Sequence, residues 1–381
     1  MKILHIINSL KKGGAEGNLY RLCVAQKKKY KNKIDITIIT LINNGYYENK
    51  LKAKGIKIIS LAIDKKIKIF GLVKKISKFR NIIVKKNQDI IQSWMYHSNF
   101  LTLFIPRQSH NKIFWNIRHS ELNFNISKKI TILISIICGL SSRIVPKKII
   151  YCSEKSIKFH ENKHFYSKNK TSLIENGYSE KTYYPSNSLR LNFRKKNNIK
   201  KRNIIFGFAG RYAKQKNIDS LLLAFSKISN DHENIYLYMA GKDINSQNKK
   251  LINIVSRLNI KNKVFFINEQ KNLVEFYNGI DALILTSHSE SFPNVIAEAM
   301  LCTTPVLSSN AGCSKKIIDK YGFVLSQNDY LSISKGIKKI INKLINQKFF
   351  WKSLKKNTRL QIINNFSIEK MSENYLRNWI F

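Results

Sequence analysis

Short runs of consecutive apolar residues alternate along the chain with longer segments in which apolar residues recur every three or four positions. The runs are typical of strands buried on both faces of a sheet, and the spaced pattern is typical of helices with one apolar side. In the first half of the chain, strands are predicted at residues 2–7, 34–41, 56–61, 89–93, 112–117, 148–152 and 172–175. Helices are predicted between them, at residues 15–29, 46–54 and 70–86 among others. Because no hairpin turn signals separate the strands, this alternation predicts a parallel, doubly wound α/β sheet.

The alternation stops at residues 183–202, which are polar and basic, and then starts again. Strands are predicted at residues 204–209, 235–240, 264–267, 282–285, 305–308 and 322–325. Helices are predicted at residues 218–228, 245–258, 273–278, 294–301 and 330–344. A chain of 381 residues also exceeds what one hydrophobic core usually supports. The sequence therefore predicts two doubly wound domains, residues 1–185 and 186–364, with a ligand cleft between the carboxyl ends of their strands.

The balance of charges is strongly positive. The formal net charge is +45 at pH 7, and Lys and Arg occur throughout the chain. A field of this sign favours anionic partners such as membrane lipid, nucleic acid or phosphorylated substrates. The joint abundance of Lys, Ile and Asn is typical of an A/T-biased coding sequence, which is an alternative explanation for the same charge.

Cysteine usage and hydropathy indicate the compartment. The five cysteines are scattered without a Cys-x-x-Cys pair, which favours a reducing environment and argues against structural zinc. No apolar run reaches the length of about eighteen residues that a membrane-spanning helix requires. The N-terminal residues run directly into a predicted strand and lack the cleavage site of a secretory leader. We therefore expect a cytoplasmic protein.

The most informative stretch follows the predicted strand at residues 282–285. Pro293 suits the start of a helix, so Glu290 is expected in the loop at the carboxyl end of the strand and Glu298 two turns further on. The amide groups at a helix start bind anions, and carboxylates on each side could hold the hydroxyl groups of a sugar. An ordinary strand–loop–helix unit with solvated glutamates is the alternative, and this stretch alone leaves both interpretations open.

Two other loops carry features of phosphate binding. Gly13 and Gly14 follow the first strand, where glycine permits close approach of a ligand to the backbone. The Gly-x-Gly-x-x-Gly fingerprint of dinucleotide binding is absent, and an ordinary tight turn remains an alternative. Gly210, Arg211 and Lys216 lie in the matching loop of the second domain. The planar fork of an arginine and the point charge of a lysine can both hold phosphate oxygens.

Further candidates follow strands of the first domain. His97 lies just past one strand, and Arg118 and His119 lie at the end of another. A single histidine in such a position is more often structural, but two neighbouring strand ends together favour a site. The chain has no Asp-x-Asp pair, so we expect no metal-bridged diphosphate, and the positive charge is expected from Arg211, Lys216 and helix starts.

These motifs occur in an order that resembles the family-4 retaining glycosyltransferases, which have the two-domain GT-B fold. The resemblance covers nearly the whole chain. It rests on these segments: Gly13-Gly14-Ala15-Glu16, Tyr151-Cys152-Ser153-Glu154, Asn176-Gly177, Gly210-Arg211-x4-Lys216, Ala240-Gly241 and Glu290-x7-Glu298. The runs at residues 93–98 and 115–118 look like the subset that assembles bacterial polysaccharides.

The resemblance implies a function. It implies metal-independent, retaining transfer of a hexose-type sugar from a UDP- or GDP-sugar, with no other cofactor, to a glycan or polyprenyl-diphosphate-linked acceptor. The product would belong to a cell-surface polysaccharide such as O-antigen, capsule or lipopolysaccharide. The first domain would bind the acceptor and include a C-terminal helix at about residues 365–381. The second domain would bind the donor. Both domains would be Rossmann-like and would face a central cleft.

The resemblance also implies roles for individual residues. Arg211 and Lys216 would bind the diphosphate, Glu290 would face the transferred sugar, and Glu298 would hold the ribose. Catalytic roles would fall to Glu290, Arg211 and Lys216, and to His97, Arg118 or His119 in the first domain. The remaining donor-binding positions would be Gly13, Gly14, Gly210, Phe292, Pro293, Asn294 and Val295.

Membrane contact is a further hypothesis. The basic helix at residues 70–86 and the apolar segment at residues 130–140 could rest on anionic lipid at the inner face of the cytoplasmic membrane. Helices that simply cover a sheet, with solvated lysines, are the alternative.

Two other functions remain open from the sequence. A sugar-nucleotide epimerase or a phosphorylase with the same fold is one. A basic nucleic-acid-binding protein is the other, but no aromatic-basic recognition module is present, so no nucleic acid is expected.

Overall fold

The computed structural model describes residues 1–43, 45–63, 69–122, 128–270 and 272–380. The chain forms two compact units. Unit 1 comprises Met1–Gly177 and Ile368–Phe381, and unit 2 comprises Tyr178–Ser367. The boundaries between the two units lie at 177/178 and 367/368. The sequence predicts domain boundaries near 185/186 and 364/365, and this assignment of domains stays a prediction.

Unit 1 contains a parallel sheet of seven strands in the order β3-β2-β1-β4-β5-β6-β7. The strands are β1 (Lys2–Ile7), β2 (Asp35–Thr40), β3 (Lys57–Ser60), β4 (Ile90–Trp94), β5 (Ile113–Ile117), β6 (Lys148–Tyr151) and β7 (Thr171–Leu173). The helices are α1 (Gly14–Tyr30), α2 (Glu48–Lys52), α3 (Ile69–Lys86), α4 (Tyr96–Leu101), α5 (Lys129–Ser141) and α6 (Glu154–Lys163), and the chain's last helix, Ile368–Ile380, also belongs to this unit.

Both faces of this sheet are buried, as the apolar runs predict. Successive side chains of a strand point to opposite faces. On β1, Ile3 and Ile7 pack with Leu19 and Leu22 of α1, whereas Leu4 and Ile6 belong to the core on the other face. That second face is covered by α3, α4 and α5, through the buried side chains Phe79, Ile83, Tyr96, Leu101, Ile132 and Cys138.

Unit 2 contains a parallel sheet of six strands in the order β10-β9-β8-β11-β12-β13. The strands are β8 (Ile204–Ala209), β9 (Ile235–Ala240), β10 (Val264–Phe266), β11 (Ala282–Leu285), β12 (Val306–Ser308) and β13 (Phe323–Val324). The helices are α7 (Asn187–Lys196), α8 (Ile218–Asp231), α9 (Lys249–Arg257), α10 (Val274–Gly279), α11 (Asn294–Leu301), α12 (Ser314–Ile318), α13 (Tyr330–Asn346) and α14 (Lys348–Asn365), and the chain's last helix, in unit 1, is α15 (Ile368–Ile380).

The strand orders confirm the predicted fold class of two doubly wound parallel sheets. In each sheet the direction of winding reverses beside the first strand, between β1 and β4 in unit 1 and between β8 and β11 in unit 2. Loops that leave the carboxyl ends of such paired strands diverge, and ligands bind there in folds of this kind. The topology therefore places the loops after β1 and β4 together, and likewise the loops after β8 and β11.

Helix α7 lies in the polar stretch where no helix was expected. Ser186 caps its start by accepting a hydrogen bond from the amide of Leu189. Phe193 is buried against Phe276, and the buried Arg194 pairs with Asp281 across 3.5 Å. Arg190 pairs with the same carboxylate across 2.6 Å. A helix held by a buried aromatic side chain and by ion pairs has too few apolar positions for its pattern to be recognised.

No helix in the described ranges has both the length and the apolar content needed to cross a bilayer.

Candidate functional site

Two loops of unit 2 are joined by hydrogen bonds at the point where its sheet reverses direction. They leave the paired strands β8 and β11. The amide of His288 donates to the carbonyl of Gln215 over 2.8 Å, and the Gln215 side chain donates to the carbonyl of Ser289. Thr286 Oγ1 donates to the Lys216 carbonyl over 3.0 Å. The loop that carries Lys216 and the loop that carries Glu290 therefore form one surface.

Lys216 and Glu290 are in direct contact on this surface. The Lys216 Nζ atom lies 2.5 Å from Glu290 Oε1, and the two side chains are only 16% and 13% exposed. Ser287 Oγ donates to the same carboxylate oxygen over 2.7 Å. The sequence analysis predicts Lys216 and Glu290 at one site, and in the structure the two side chains are in contact. A lysine donates charge-assisted hydrogen bonds to phosphate oxygens as well as to carboxylate oxygens. Lys216 can therefore bind an anionic ligand beside Glu290.

Arg211 lies at the start of the same loop, and its side chain is exposed. The backbone beneath it is supported by Gly241, whose φ of +149° is unusual for residues with a side chain. A Cβ atom at Gly241 would stand 1.9 Å from the Gly210 carbonyl oxygen, so only glycine fits there. The Ala240-Gly241 motif thus fixes the backbone that carries Arg211.

Gly312 is a site residue that the sequence reasoning missed. It has a φ of +60°, and a Cβ atom there would lie 2.2 Å from the carbonyl oxygen of Glu290. The loop after β12 therefore packs directly on the backbone of the Glu290 loop. The sequence feature that could have identified it is its position shortly after the predicted strand at residues 305–308, at the same edge of the sheet as the Glu290 loop.

Helix α11 begins immediately after this loop. Pro293 is buried and precedes its first residue, Asn294. The buried ring of Phe292 stacks on Tyr178, with centroids 6.3 Å apart, and the Tyr178 hydroxyl donates to the Asn294 side chain. Asn294 and Val295, the first two residues of the helix, are both half-buried.

Glu298 lies further along α11 and is half-buried. Tyr277, on the neighbouring helix α10, donates its hydroxyl to Glu298 Oε2 over 2.9 Å. The Tyr277 ring is fully buried, and burial, followed by the nearby Glu298 charge, raises the pKa of its hydroxyl well above the ordinary value. Tyr277 therefore remains a proton donor to Glu298.

In unit 1, Gly13 and Gly14 lie exposed between β1 and α1. The carboxylate of Glu16 folds back over Gly13, so that a Cβ atom at Gly13 would lie 2.3 Å from Glu16 Oε2. Ser9 Oγ donates to the other oxygen of Glu16 over 3.3 Å, and burial raises the pKa of this carboxyl above its usual value. This carboxylate is the end of a flexible side chain, so a larger residue at position 13 would displace Glu16 from its place beside the glycine.

Arg118 and His119 occupy different environments at the end of β5. Arg118 is only 8% exposed, and its guanidinium donates to protein partners at four points. These partners are Asn116 Oδ1 (2.6 Å), Asn176 Oδ1 (2.7 Å), the Ile174 carbonyl (3.2 Å) and the Tyr375 hydroxyl. His119, in contrast, is exposed, and its backbone carbonyl accepts a hydrogen bond of 2.5 Å from Ser156 Oγ. Arg118 thus holds strand ends to α15. His119 is exposed as a residue, and its ring centroid lies 5.7 Å from that of the buried Tyr96.

His97 lies in α4 directly after β4 and is half-buried. Burial, and secondarily the charge of Lys128, lowers the pKa of its imidazole. This histidine is therefore neutral near pH 7.

Residues 160–164 read His-Glu-Asn-Lys-His, a spacing that the sequence reasoning overlooked and that also occurs in zinc sites. His160 Nδ1 lies 2.7 Å from the Ser156 carbonyl and Nε2 lies 2.7 Å from the Tyr96 hydroxyl, while His164 Nδ1 lies 2.7 Å from Ser135 Oγ. Both imidazoles are thus used by the protein itself. In the part of the chain that the structure covers, no group of three or more His, Cys, Asp or Glu side chains is arranged to hold a metal ion.

Comparison with known proteins is consistent with this geometry. Residues 190–359 match the family described as glycosyl transferases group 1. The chain is 28% identical over 167 residues to the capsular polysaccharide biosynthesis glycosyltransferase CapM of Staphylococcus aureus, an alignment that covers 43% of each chain. It is 28% identical over 151 residues to the O-antigen biosynthesis glycosyltransferase WclY of Escherichia coli, covering 40% of each. The aligned segment thus spans about two-fifths of the length of these two relatives.

The fold is also found in a solved structure. The crystal structure of HepE from Anabaena, in complex with UDP, superimposes with a TM-score of 0.81 over 99% of both chains at 18% identity. This likeness confirms the predicted GT-B fold class, with two parallel-sheet α/β domains.

Proposed function

We propose that this chain, which carries a glycosyl transferases group 1 domain at residues 190–359, transfers a sugar from a nucleotide-diphosphate donor to an acceptor in the assembly of a cell-surface polysaccharide, with retention at the anomeric carbon. The observation that carries the proposal is the contact between Lys216 and Glu290 at the reversal point of the unit 2 sheet. It supports a donor site in which the ammonium group of Lys216 binds a phosphate and the neighbouring carboxylate of Glu290 orients the sugar.

The donor diphosphate would be held by Lys216, by the exposed Arg211 and by the amide groups at the start of α11. Developing negative charge on a leaving group is stabilised best by donors that are already in position. Arg211 and Lys216 lie in one loop, whose backbone is fixed by Gly241. Glu290 would accept hydrogen bonds from hydroxyl groups of the transferred sugar, and Glu298 from the ribose.

In the proposed reaction, the bond from the anomeric carbon to the diphosphate oxygen breaks as an oxocarbenium-like state develops. The acceptor hydroxyl forms the new bond on the same face of the sugar, and its proton passes to the departing diphosphate. The nucleoside diphosphate then leaves. The residues of this chain bind and orient the two substrates and stabilise the charge on the leaving oxygen.

UDP-sugars are the proposed donors, with GDP-sugars as the alternative base. UDP in the HepE crystals supports this choice. The roles of CapM in capsular polysaccharide and of WclY in O-antigen biosynthesis support a cell-surface polysaccharide as the product. The acceptor is proposed to be a glycan or a polyprenyl-diphosphate-linked sugar bound by unit 1. There, His119 is the proposed catalytic histidine because the residue is accessible to solvent, whereas Arg118 is buried and engaged in hydrogen bonds within the unit.

We propose that unit 1 also contacts an anionic membrane. Helix α3 exposes Phe70 (83%), Val73 (58%) and Val84 (63%), which lie on one side among exposed cationic residues. Helix α5, on the same face of the sheet, exposes Ile130, Leu133 and Leu140 by more than half. Apolar side chains at the headgroup boundary together with lysines near anionic lipid are what peripheral binding requires.

Liposome flotation tests the membrane contact. The protein is expected to float with vesicles that contain phosphatidylglycerol and to remain at the bottom with vesicles of phosphatidylcholine alone. Phe70→Ser is expected to weaken binding roughly tenfold or more, because burial of one large apolar side chain contributes about 1.5–3 kcal/mol. Phe349→Ser, which alters a 92% exposed phenylalanine of unit 2, is the matched control. Equal binding to both vesicle types would contradict the proposal.

The transfer function is tested by a panel of nucleotide sugars. Thermal unfolding is expected to shift upward with the true donor, since a ligand that binds only the folded state stabilises it by mass action. The donor selected in this way is then incubated with lipid-linked acceptors, and the anomeric configuration of the product is read by NMR. Hydrolysis, epimerisation or phosphorolysis of the donor without any transfer would contradict the proposal.

A further inference from the structure

Glu298 accepts a hydrogen bond from a buried tyrosine. Tyr277 lies on α10, is inaccessible to solvent, and donates its hydroxyl to Glu298 Oε2 over 2.9 Å. The residue's backbone is itself fixed, because its carbonyl accepts from Thr304 Oγ1 over 2.6 Å and its amide donates to the Leu273 carbonyl over 2.8 Å. A hydroxyl on a rigid, buried ring can aim a carboxylate at one position.

We propose that Tyr277 is a positioning residue that sets the preference of this site for a nucleotide with intact ribose hydroxyls. The inference rests on the proposed function, in which Glu298 accepts hydrogen bonds from the ribose. Two pieces of geometry carry it, namely the direct hydrogen bond from Tyr277 and the place of Glu298 on α11, the helix that follows the Glu290 loop.

The chemistry gives the hydroxyl a defined effect. A half-buried carboxylate such as that of Glu298 can still rotate, and rotation lowers the average strength of any hydrogen bond that it accepts from a ligand. Tyr277 limits this rotation by engaging Oε2, which favours one orientation of the whole carboxylate. Burial raises the pKa of the Tyr277 hydroxyl well above its ordinary value, so the group is a donor at neutral pH. Loss of the hydroxyl should therefore weaken recognition of the ribose more than recognition of the diphosphate.

The test compares the affinities of UDP and 2′,3′-dideoxy-UDP, and of the corresponding guanosine pair, in the wild type and in Tyr277→Phe. The wild type is expected to prefer the ribonucleotide by about tenfold or more, because a site built to bind hydroxyl groups loses affinity when they are missing. Tyr277→Phe is expected to reduce this preference by roughly threefold to tenfold, the value of one ordinary hydrogen bond, because the variant loses the orientation of the carboxylate and keeps the carboxylate itself. Its affinity for the dideoxynucleotide should stay close to that of the wild type.

A matched control separates this effect from simple loss of a buried hydroxyl. Tyr238→Phe removes another buried hydroxyl of unit 2, which donates to the Asn197 carbonyl over 3.4 Å, outside the proposed site. It should leave the preference for the ribonucleotide unchanged. If Tyr277 had only a structural role, Tyr277→Phe would lower the temperature of unfolding and leave the ratio of the two affinities unaltered, as expected for Tyr238→Phe.

Several outcomes overturn the inference. A Tyr277→Phe variant that keeps the wild-type ratio of affinities would overturn it. A wild type that binds UDP and dideoxy-UDP equally would also overturn it, although the proposed binding of the diphosphate would still hold. A wild type that binds neither nucleotide pair would overturn the proposed function itself. If Tyr277→Phe does not fold, a crystal structure of the wild type with UDP decides the matter. The inference expects Glu298 bonded to both Tyr277 and the ribose, and a carboxylate turned away from Tyr277 would refute it.

Discussion

Separate removal of Lys216 and Glu290 tests whether their contact is a ligand site or only a structural ion pair. Lys216→Met keeps the length of the side chain and removes its charge, and Glu290→Gln keeps the shape of the carboxylate and removes its charge. The two side chains are 16% and 13% exposed, so the pair lies between a solvated surface bridge and a fully buried one. We expect either variant to lower the free energy of unfolding by about 1–3 kcal/mol, the value of a hydrogen bond between charged groups in such surroundings.

The two variants should differ in nucleotide binding, although they resemble each other in stability. Lys216→Met is expected to weaken binding of a nucleoside diphosphate by roughly 10-fold to 100-fold, because one charge-assisted hydrogen bond to phosphate is lost. Glu290→Gln should bind the same diphosphate as well as the wild type or better, because Lys216 no longer has a carboxylate as a competing partner. Its rate of sugar transfer should nevertheless fall, because the group that orients the sugar has lost its charge.

Isothermal titration calorimetry with UDP and GDP measures the affinities, and thermal unfolding without ligand measures the stabilities. Lys214→Met is the matched control, since Lys214 lies exposed in the same loop. It should change neither quantity appreciably, apart from a small effect of overall charge. If Lys216→Met and Glu290→Gln weakened diphosphate binding equally, or if neither changed it, the pair would be structural and its assignment to the donor site would be wrong.

Three other perturbations have defined expectations. Arg118→Met should lower the free energy of unfolding of unit 1 by about 3 kcal/mol or more in a denaturant titration, because the buried partners of the guanidinium lose their donors; a loss below about 1 kcal/mol would contradict this. His119→Ala should lower the unfolding temperature only slightly, because the residue is exposed and loses one ring contact with Tyr96, and should lower the rate of transfer by about 10²-fold or more; an unaffected rate would exclude a catalytic role. Acid should destabilise unit 1, because burial lowers the pKa of His5 and of His160 to about 3 and each must gain a proton on unfolding. The stability contributed by each neutral imidazole is present above pH 6.5 and is lost by about 1.4 kcal/mol per pH unit as the pH falls from 6.5 towards 3; a flat unfolding curve between pH 6.5 and 4 would contradict this.

The alternating apolar runs were sufficient to predict the sheets. Strands of a doubly wound fold are buried on both faces, so runs such as Lys2–Ile7 and Ile204–Ala209 stand out without any partner information. The strand order within each sheet is not encoded in one local pattern. It depends on which strands pair across the sheet, and only the structure places β1 beside β4 and β8 beside β11.

The loop residues were predicted in part. Glu290 and Lys216 were expected together because both follow strands of one sheet, and their contact could be anticipated from topology. The different environments of Arg118 and His119 could not, because they depend on Asn176 and on Tyr375, which is far away in sequence. Tyr277 was equally hidden, since a tyrosine in an apolar helical pattern looks like an ordinary core residue. Helix α7 was missed because an ion pair with Asp281 replaces part of its apolar face.

A crystal structure of the protein with a bound nucleoside diphosphate tests the central claim most directly. The account predicts that the phosphate oxygens lie within hydrogen-bond distance of Lys216 Nζ and of the Arg211 guanidinium, with Glu290 beside the position of the sugar. A nucleotide whose phosphates lie away from both cations, with Lys216 still paired only to Glu290, would contradict it.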